Sequence, residues 1–257
     1  MTSAFTSQLS GRVAVITGAS SGIGFATARL LAARGARVAV LARRRETLDR
    51  LVDEIRKAGG EAMALTVDVT DQASVDAAAT AVEQSYGPAS LVFNNAGVML
   101  PGAIEENKMQ EWEQQIDLNV NGVMRVISAF VPQLAKSASA GIASDLINTS
   151  SIAGQYIFPY FAVYSATKAY VSHLTRHMRV ELGPKNIRVA MIEPGCVATE
   201  LQGHVTFQGA KDWLANAAQN IDFLQPEDIA ETVGFLVSLP KHVNLQQVVI
   251  MPTKQGS

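Results

Sequence analysis

Thr17-Gly18-Ala19-Ser20-Ser21-Gly22-Ile23-Gly24 follows directly on the apolar run Arg12-Val13-Ala14-Val15-Ile16, and a helically spaced run from Ile23 to Arg34 follows it. The first run is short and β-branched, the pattern of a strand buried on both faces. Strand, glycine turn and helix in that order aim backbone N–H groups and a helix N-terminus at a phosphate. Glycine is needed there because a Cβ would block the turn or the approach of a pyrophosphate. The spacing is GxxxGxG and not the GxGxxG of the general fingerprint, so a glycine turn serving topology alone stays open and context has to decide.

The context is a sustained alternation. Further strands are expected at Arg37 to Leu41, Ala62 to Val67, Ser90 to Phe93, Asp145 to Thr149, Arg188 to Ile192 and Gln247 to Met251. Helices are expected at Glu46 to Ala58, Gln72 to Tyr86, Met109 to Leu134, Phe161 to Leu182 and Pro226 to Leu239, with Gly59-Gly60 and Gly87-Pro88 as breaks. The alternation predicts an α/β fold, a Rossmann-like doubly wound parallel sheet of about seven strands flanked by helices, with the marked residues at its carboxyl edge. We expect one domain over residues 1–257, with a polar, frayed start and a substrate lid at about 199–225, where periodicity is weak.

Composition narrows the partners. With 257 residues, 48% of them apolar, the chain can bury one sizeable core. A net charge of -2 gives no electrostatic case for nucleic acid or an anionic membrane, so a small molecule is expected. One cysteine, Cys196, excludes an internal disulfide framework and agrees with a reducing compartment. Without a signal-peptide pattern at the start or a spanning apolar run, the expected location is cytoplasmic.

Chemistry-bearing residues fall where the strands end. Ala42-Arg43-Arg44-Arg45 stands where an acid would hold the ribose hydroxyls of NAD; an arginine fork suits a 2′-phosphate, so NADP is favoured over NAD. Asp68 lies past the third strand, free of capping duty because Thr70 or Asp71 suffices for the next helix. Asn119 sits mid-helix, where asparagine is a poor choice; it has a buried task or marks a kink. Tyr164 and Lys168 are four apart on a helix and share a face, so the cation can favour the phenolate and bring a phenol of pKa about 10 towards neutrality. Ser151, past the fifth strand, has no G-x-S-x-G elbow, so it is read as a donor to a carbonyl oxygen beside Tyr164 and not as a nucleophile.

In this order and over essentially the whole length, TGASSGIG at 17–24, Asn94-Asn95-Ala96-Gly97, Asn119, Ser151, Tyr164 with Lys168, and Pro194-Gly195 resemble the short-chain dehydrogenase/reductase family. The family's own glycine spacing is the GxxxGxG found here. The resemblance implies that Ser151 orients the substrate carbonyl, Tyr164 gives or takes the proton, Lys168 lowers the Tyr164 pKa and holds the nicotinamide ribose, and Asn119 anchors a water in a proton relay. It implies cofactor contacts at Gly18, Ser20, Ser21, Gly22, Ile23, Gly24, Arg43, Asp68, Val69, Asn95, Ala96, Gly97, Pro194, Gly195, Val197 and Thr199. It also implies a homotetramer built through the helices near Met109 and Tyr164.

Two departures qualify it: Ser21 replaces a basic residue of many relatives, and Met251-Pro-Thr-Lys-Gln replaces an Asp-Gly-Gly ending frequent among acyl-carrier-protein reductases. The activity expected is NADP-dependent exchange of a ketone or aldehyde with its alcohol, in a pocket walled by Val98 to Pro101, Tyr156 to Phe161, Cys196 and Leu201 to Phe207. The alternatives are a 3-oxoacyl-carrier-protein-type reductase and a non-catalytic NADP-sensing scaffold. No metal site is expected: His173 and His177 lack a third ligand, and Cys196 lacks a neighbour to activate it.

Overall fold

In β1 (Val13–Thr17), Ala14 and Ile16 pack to one side of the sheet and Val13 and Val15 to the other. A strand apolar on both faces needs helices above and below it. The computed structural model describes residues 9–256, so most of the polar start lies outside the described residues. Along the chain α1 (Gly22–Ala33), β2 (Arg37–Ala42), α2 (Arg45–Lys57), β3 (Glu61–Thr66), α3 (Gln72–Tyr86) and β4 (Leu91–Asn94) alternate. Then come α4 (Met109–Ile116), α5 (Gly122–Ser139), β5 (Ser144–Thr149), α6 (Ala162–Leu182), β6 (Ile187–Pro194), α7 (Gln208–Asn220), α8 (Pro226–Ser238) and β7 (Gln247–Ile250).

All seven strands are parallel, in the order β3-β2-β1-β4-β5-β6-β7. The order reverses between β1 and β4, which opens a crevice at the carboxyl ends of those strands. Helices α1, α2 and α8 cover one face through Leu31, Leu48, Leu51, Ile229 and Val233. Helices α3, α5 and α6 cover the other through Val75, Val82, Phe130, Leu134 and Met178. Each such side chain, fully buried like Phe130, contributes about 2 to 3 kcal/mol.

The opposite edge of the sheet is stapled by charge. Asp145 on β5 accepts from Arg12 Nη2 at 2.5 Å and from Arg188 Nε and Nη2 at 2.7 and 2.9 Å, and all three residues are buried. The guanidiniums also donate to Val237 and Leu239 carbonyls at the end of α8, where the helix dipole favours cations.

Two expectations differ from the structure. The single helix expected from Met109 to Leu134 is interrupted: Asp117–Asn121 forms a π-helical turn between α4 and α5, and α5 continues to Ser139. An inserted turn of this kind re-aims the residues it carries, and Asn119 is the buried one. The weakly periodic stretch at 199–225 holds a short helix, Glu200–His204, and the 13-residue α7. Leu201, Val205, Phe207, Trp213 and Leu214 pack there against Met99, Phe158, Phe161 and Tyr164, so tertiary contacts and not the local pattern sustain α7.

Candidate active site

The glycine turn is shaped by close approach. Gly18 has φ +65°, and a Cβ there would lie 2.9 Å from the Ala96 Cα; one on Gly24 would lie 2.5 Å from the Gly18 carbonyl oxygen. The two chain segments therefore touch backbone to backbone. Thr17 Oγ1 accepts from the Asn95 and Ala96 N–H groups at 2.9 and 3.0 Å, Asn95 Nδ2 donates to the Thr17 carbonyl at 3.2 Å, and Thr149 donates to Asn95 Oδ1 at 3.3 Å. These bonds lock the carboxyl ends of β1, β4 and β5 into one rim. Ser21 precedes α1 without capping it by its side chain, which leaves the first-turn N–H groups to an anion.

Behind the rim, Ser151 and Tyr164 meet. Ser151 leaves β5 extended, accepts from the Ala153 N–H at 3.1 Å and lies close enough to the Tyr164 phenol to favour its ionised form. Lys168, one turn along α6, donates from Nζ to the Thr149 carbonyl at 2.9 Å and lies 5.7 Å from the Tyr164 ring centroid. Asn119 accepts from the Val98 N–H at 2.8 Å and donates to the Val98 carbonyl at 2.8 Å and to Thr167 Oγ1 at 3.2 Å. Thr167 in turn donates to the Tyr164 carbonyl at 2.7 Å, so the π-turn ties the chain after β4 to α6.

Burial decides the electrostatics of the pair. It pushes the Tyr164 phenol up to about 12, against the opposing influence of Ser151, and pushes Lys168 down to about 8. Burial is the largest influence on both groups, and Ser151 is the side chain that opposes it at the phenol. Burial likewise pushes the Cys196 thiol up, which makes it a poorer nucleophile.

A single cavity of about 370 Å³ is lined by every anticipated cofactor and catalytic residue except two. Gly24 and Asn119 stand behind its wall, as the contacts above describe. Asp68 is not free: Oδ1 accepts from the Thr70 N–H and hydroxyl at 2.9 and 2.7 Å, while Asp71 caps α3. Burial opposes its charge, but the Thr70 bonds and nearby Arg43 hold its carboxyl below the usual range. Of the expected pocket wall, Val98, Met99, Phe158, Phe161, Cys196, Leu201 and His204 line the cavity, while Leu100, Pro101, Tyr156 and Tyr160 do not. Trp213 and Leu214 join it from α7.

Sequence reasoning missed several lining residues. Arg44 donates to Ser20 Oγ at 3.0 Å and to Glu200 at 2.8 Å, whereas exposed Arg43 makes no hydrogen bond or ion pair among the described residues. Gln255 accepts from the Cys196 N–H at 2.8 Å, and its side chain occupies the space a Cβ on Gly195 would need. No local pattern announces either contact, because each joins segments distant in sequence.

His173 and His177 face each other on the exposed side of α6 with Nε2 atoms 3.2 Å apart. Among the described residues no group of three or more His, Cys, Asp or Glu could hold a metal ion. Nor is any described helix long and apolar enough to cross a membrane.

The turn, the helix N-terminus and the cavity at the switch point fit a dinucleotide by backbone shape as well as by residue type. Such a crevice, with a serine and a tyrosine hydroxyl side by side at its inner end, is the architecture of a dinucleotide-dependent oxidoreductase. The model of the short chain dehydrogenase family matches residues 12–208, and the chain belongs to that family.

An uncharacterized oxidoreductase of Listeria innocua, Lin0452, is 37% identical over 95% of this chain and 97% of its own. Glycine betaine reductase ATRR of Emericella nidulans is 35% identical over 95% of this chain, which spans only 19% of that longer protein. An alcohol dehydrogenase of Thermococcus sibiricus, solved with 5-hydroxy-NADP, superposes with a TM-score of 0.83 at 30% identity, covering 96% of this chain and 98% of its own. The 3-ketoacyl-(acyl-carrier-protein) reductase of Brucella melitensis, solved with NADH, superposes with a TM-score of 0.83 at 30% identity over 96% and 99%.

Proposed function

We propose that this oxidoreductase interconverts a ketone or aldehyde and its alcohol with NADP, Tyr164 serving as general acid and base. The observation that carries the reading is that Ser151, Tyr164 and Lys168 line the same cavity as the glycine turn. The dinucleotide, when bound, supplies or accepts the hydride, which no side chain can do. Ser151 and Tyr164 both direct hydroxyls at one carbonyl oxygen and stabilise the charge that develops on it. Tyr164 transfers the proton, Lys168 steadies the phenol and the cofactor's ribose, and Asn119 anchors a water that resupplies the proton.

Gly18, Ser20, Ser21, Gly22, Ile23 and Gly24 cradle the diphosphate, with Asp68 and Val69 at the adenine end and Val197 and Thr199 at the nicotinamide end. The absence of an acid after β2, where Arg43 and Arg44 follow Ala42, supports NADP. Met99, Phe158, Phe161, Leu201, Trp213 and Leu214 around the hydroxyl pair favour a medium-sized apolar substrate and exclude water. The exposed apolar side chains Ile116, Met124, Tyr170 and Val180 on α4, α5 and α6 support a homotetramer joined through those helices, which light scattering of the purified protein tests.

The deciding experiment titrates the protein with NADPH and NADH and follows nicotinamide absorbance against aromatic and aliphatic ketones, aldehydes and hydroxy acids. Tight NADPH binding with turnover that Tyr164→Phe abolishes is the expected result. Binding of neither nucleotide, or full turnover in Tyr164→Phe, overturns the reading.

A further inference from the structure

The outer end of the cavity is bridged by a ring of polar contacts that the reaction does not require. Arg44, the residue before α2, donates to Ser20 Oγ in the glycine turn through Nε at 3.2 Å and Nη2 at 3.0 Å. The same Nη2 donates to Glu200 Oε2 at 2.8 Å, and the Ser21 hydroxyl lies near enough to the same carboxylate to favour its charge. Three elements distant in sequence are thereby joined: the glycine turn, the end of β2 and the short helix Glu200–His204. All four residues line the cavity. Glu200 directly follows Thr199, whose side chain presses on Gly22 so closely that a Cβ there would sit 3.1 Å from its methyl.

The Arg44 guanidinium already holds an anion, the Glu200 carboxylate, with the Ser21 hydroxyl close by. Its carboxyl is kept below the usual range first by the Arg44 bond, so it is charged at neutral pH. A second anion on the same donors must displace it, because two negative charges cannot share one guanidinium fork without repulsion. The side chains of Arg44 and Glu200 are 51% and 59% exposed, and exposed pairs are weak enough for a phosphate dianion to break.

We propose that Glu200 is an internal stand-in for the cofactor's 2′-phosphate: it occupies Arg44 in the ligand-free enzyme and is expelled when that phosphate binds. The inference rests on the NADP reading above. It makes Glu200 a determinant of cofactor preference, because the 2′-phosphate competes with it for Arg44, whereas the diphosphate common to both nucleotides meets only the turn residues Ser20 and Ser21. It also ties the start of the 199–225 segment to the cofactor turn until the phosphate arrives.

The test measures dissociation constants of NADPH and NADH by nucleotide fluorescence for wild type, Glu200→Gln, Arg44→Ala and the double variant. Glutamine keeps the side-chain shape and removes the competing charge. Glu200→Gln should bind NADPH about fourfold tighter, the scale of one exposed ion pair, with NADH unchanged within about twofold. The gain should vanish when Arg44 is alanine.

Unchanged or weaker NADPH binding, or equal tightening of both nucleotides, overturns the proposal. So does a gain that survives Arg44→Ala. The wild-type ratio of the two constants tests the cofactor reading separately. A wild type that prefers NADPH while Glu200→Gln leaves the ratio unmoved sinks the stand-in alone; one that prefers NADH but shifts fourfold in the variant sinks the cofactor reading alone.

Discussion

Lys168→Met should make the ligand-free protein more stable while removing its activity. Lys168 is 6% exposed, no carboxylate is bonded to it, and its pKa falls from 10.5 to about 8 because burial disfavours the charged amine. A fall of that size corresponds to about 3 kcal/mol of folding free energy withheld while both states are protonated. Methionine fills the same space without the charge, at the loss of the bond to the Thr149 carbonyl, which returns about 1.5 kcal/mol. The net gain at pH 7 is about 1.5 kcal/mol, or a melting temperature roughly 3 to 6 °C higher for a domain of this size.

The sign with pH is fixed by the direction of the shift. Between about 8 and 10.5 the unfolded chain holds a proton the folded chain has released, so wild-type stability recovers as pH rises through that window. The advantage of the variant should therefore be full below pH 8 and slightly reversed by pH 10, where about 0.8 kcal/mol of withheld energy no longer outweighs the lost Thr149 bond. Thermal and urea melts of both proteins at pH 7, 9 and 10 measure it. A variant that melts lower than wild type at pH 7, or keeps its advantage at pH 10, refutes the argument that Lys168 is held at a cost to folding.

Three further predictions follow from the same geometry. The Tyr164 phenol, raised to about 12, contributes stability that is complete below pH 10 and lost as pH climbs towards 12, so Tyr164→Phe should lose less stability than wild type between pH 9 and 11 in urea melts. Asp145→Asn leaves two buried guanidiniums uncompensated and should cost about 3 to 5 kcal/mol, seen as a melting temperature lower by roughly 10 °C; a loss under 1 kcal/mol would refute the buried triad as a staple. Gly24→Ala places a Cβ 2.5 Å from the Gly18 carbonyl oxygen, so NADPH affinity should fall more than about tenfold with helix content by circular dichroism retained; unchanged affinity would refute the close-packed turn.

The parallel sheet was legible because its central strands are apolar on both faces and β1, β4 and β6 end in glycine- or amide-bearing turns, and that signal is local. Asn119 was legible as an anomaly, an asparagine where a helix should run, and the π-turn is the physical answer to it. Arg44 with Glu200 and Gln255 with Gly195 were not legible, since the residues in each pair lie 156 and 60 positions apart in the chain and neither contact leaves a period or a motif. Helix α7 escaped because its apolar residues answer to Phe158 and Phe161 and not to one another. Long-range packing is the common cause.

The phenol's pKa shows where spacing alone misleads. Four residues on a helix put Lys168 near Tyr164, but they do not say which way the ammonium turns or how much water surrounds it. In the folded protein Nζ bonds the Thr149 carbonyl, and the pair lies where water is excluded, so both groups move towards their neutral forms. Ser151 is the only described side chain that pulls the phenol the other way. A phenol raised in this way stays protonated at neutral pH and stands ready to donate. To act as a base on an alcohol the same group must first lose that proton, which a positive charge beside it favours. The two directions should therefore differ in pH dependence: alcohol oxidation should rise as pH increases, and carbonyl reduction should stay flat until the phenol itself begins to titrate.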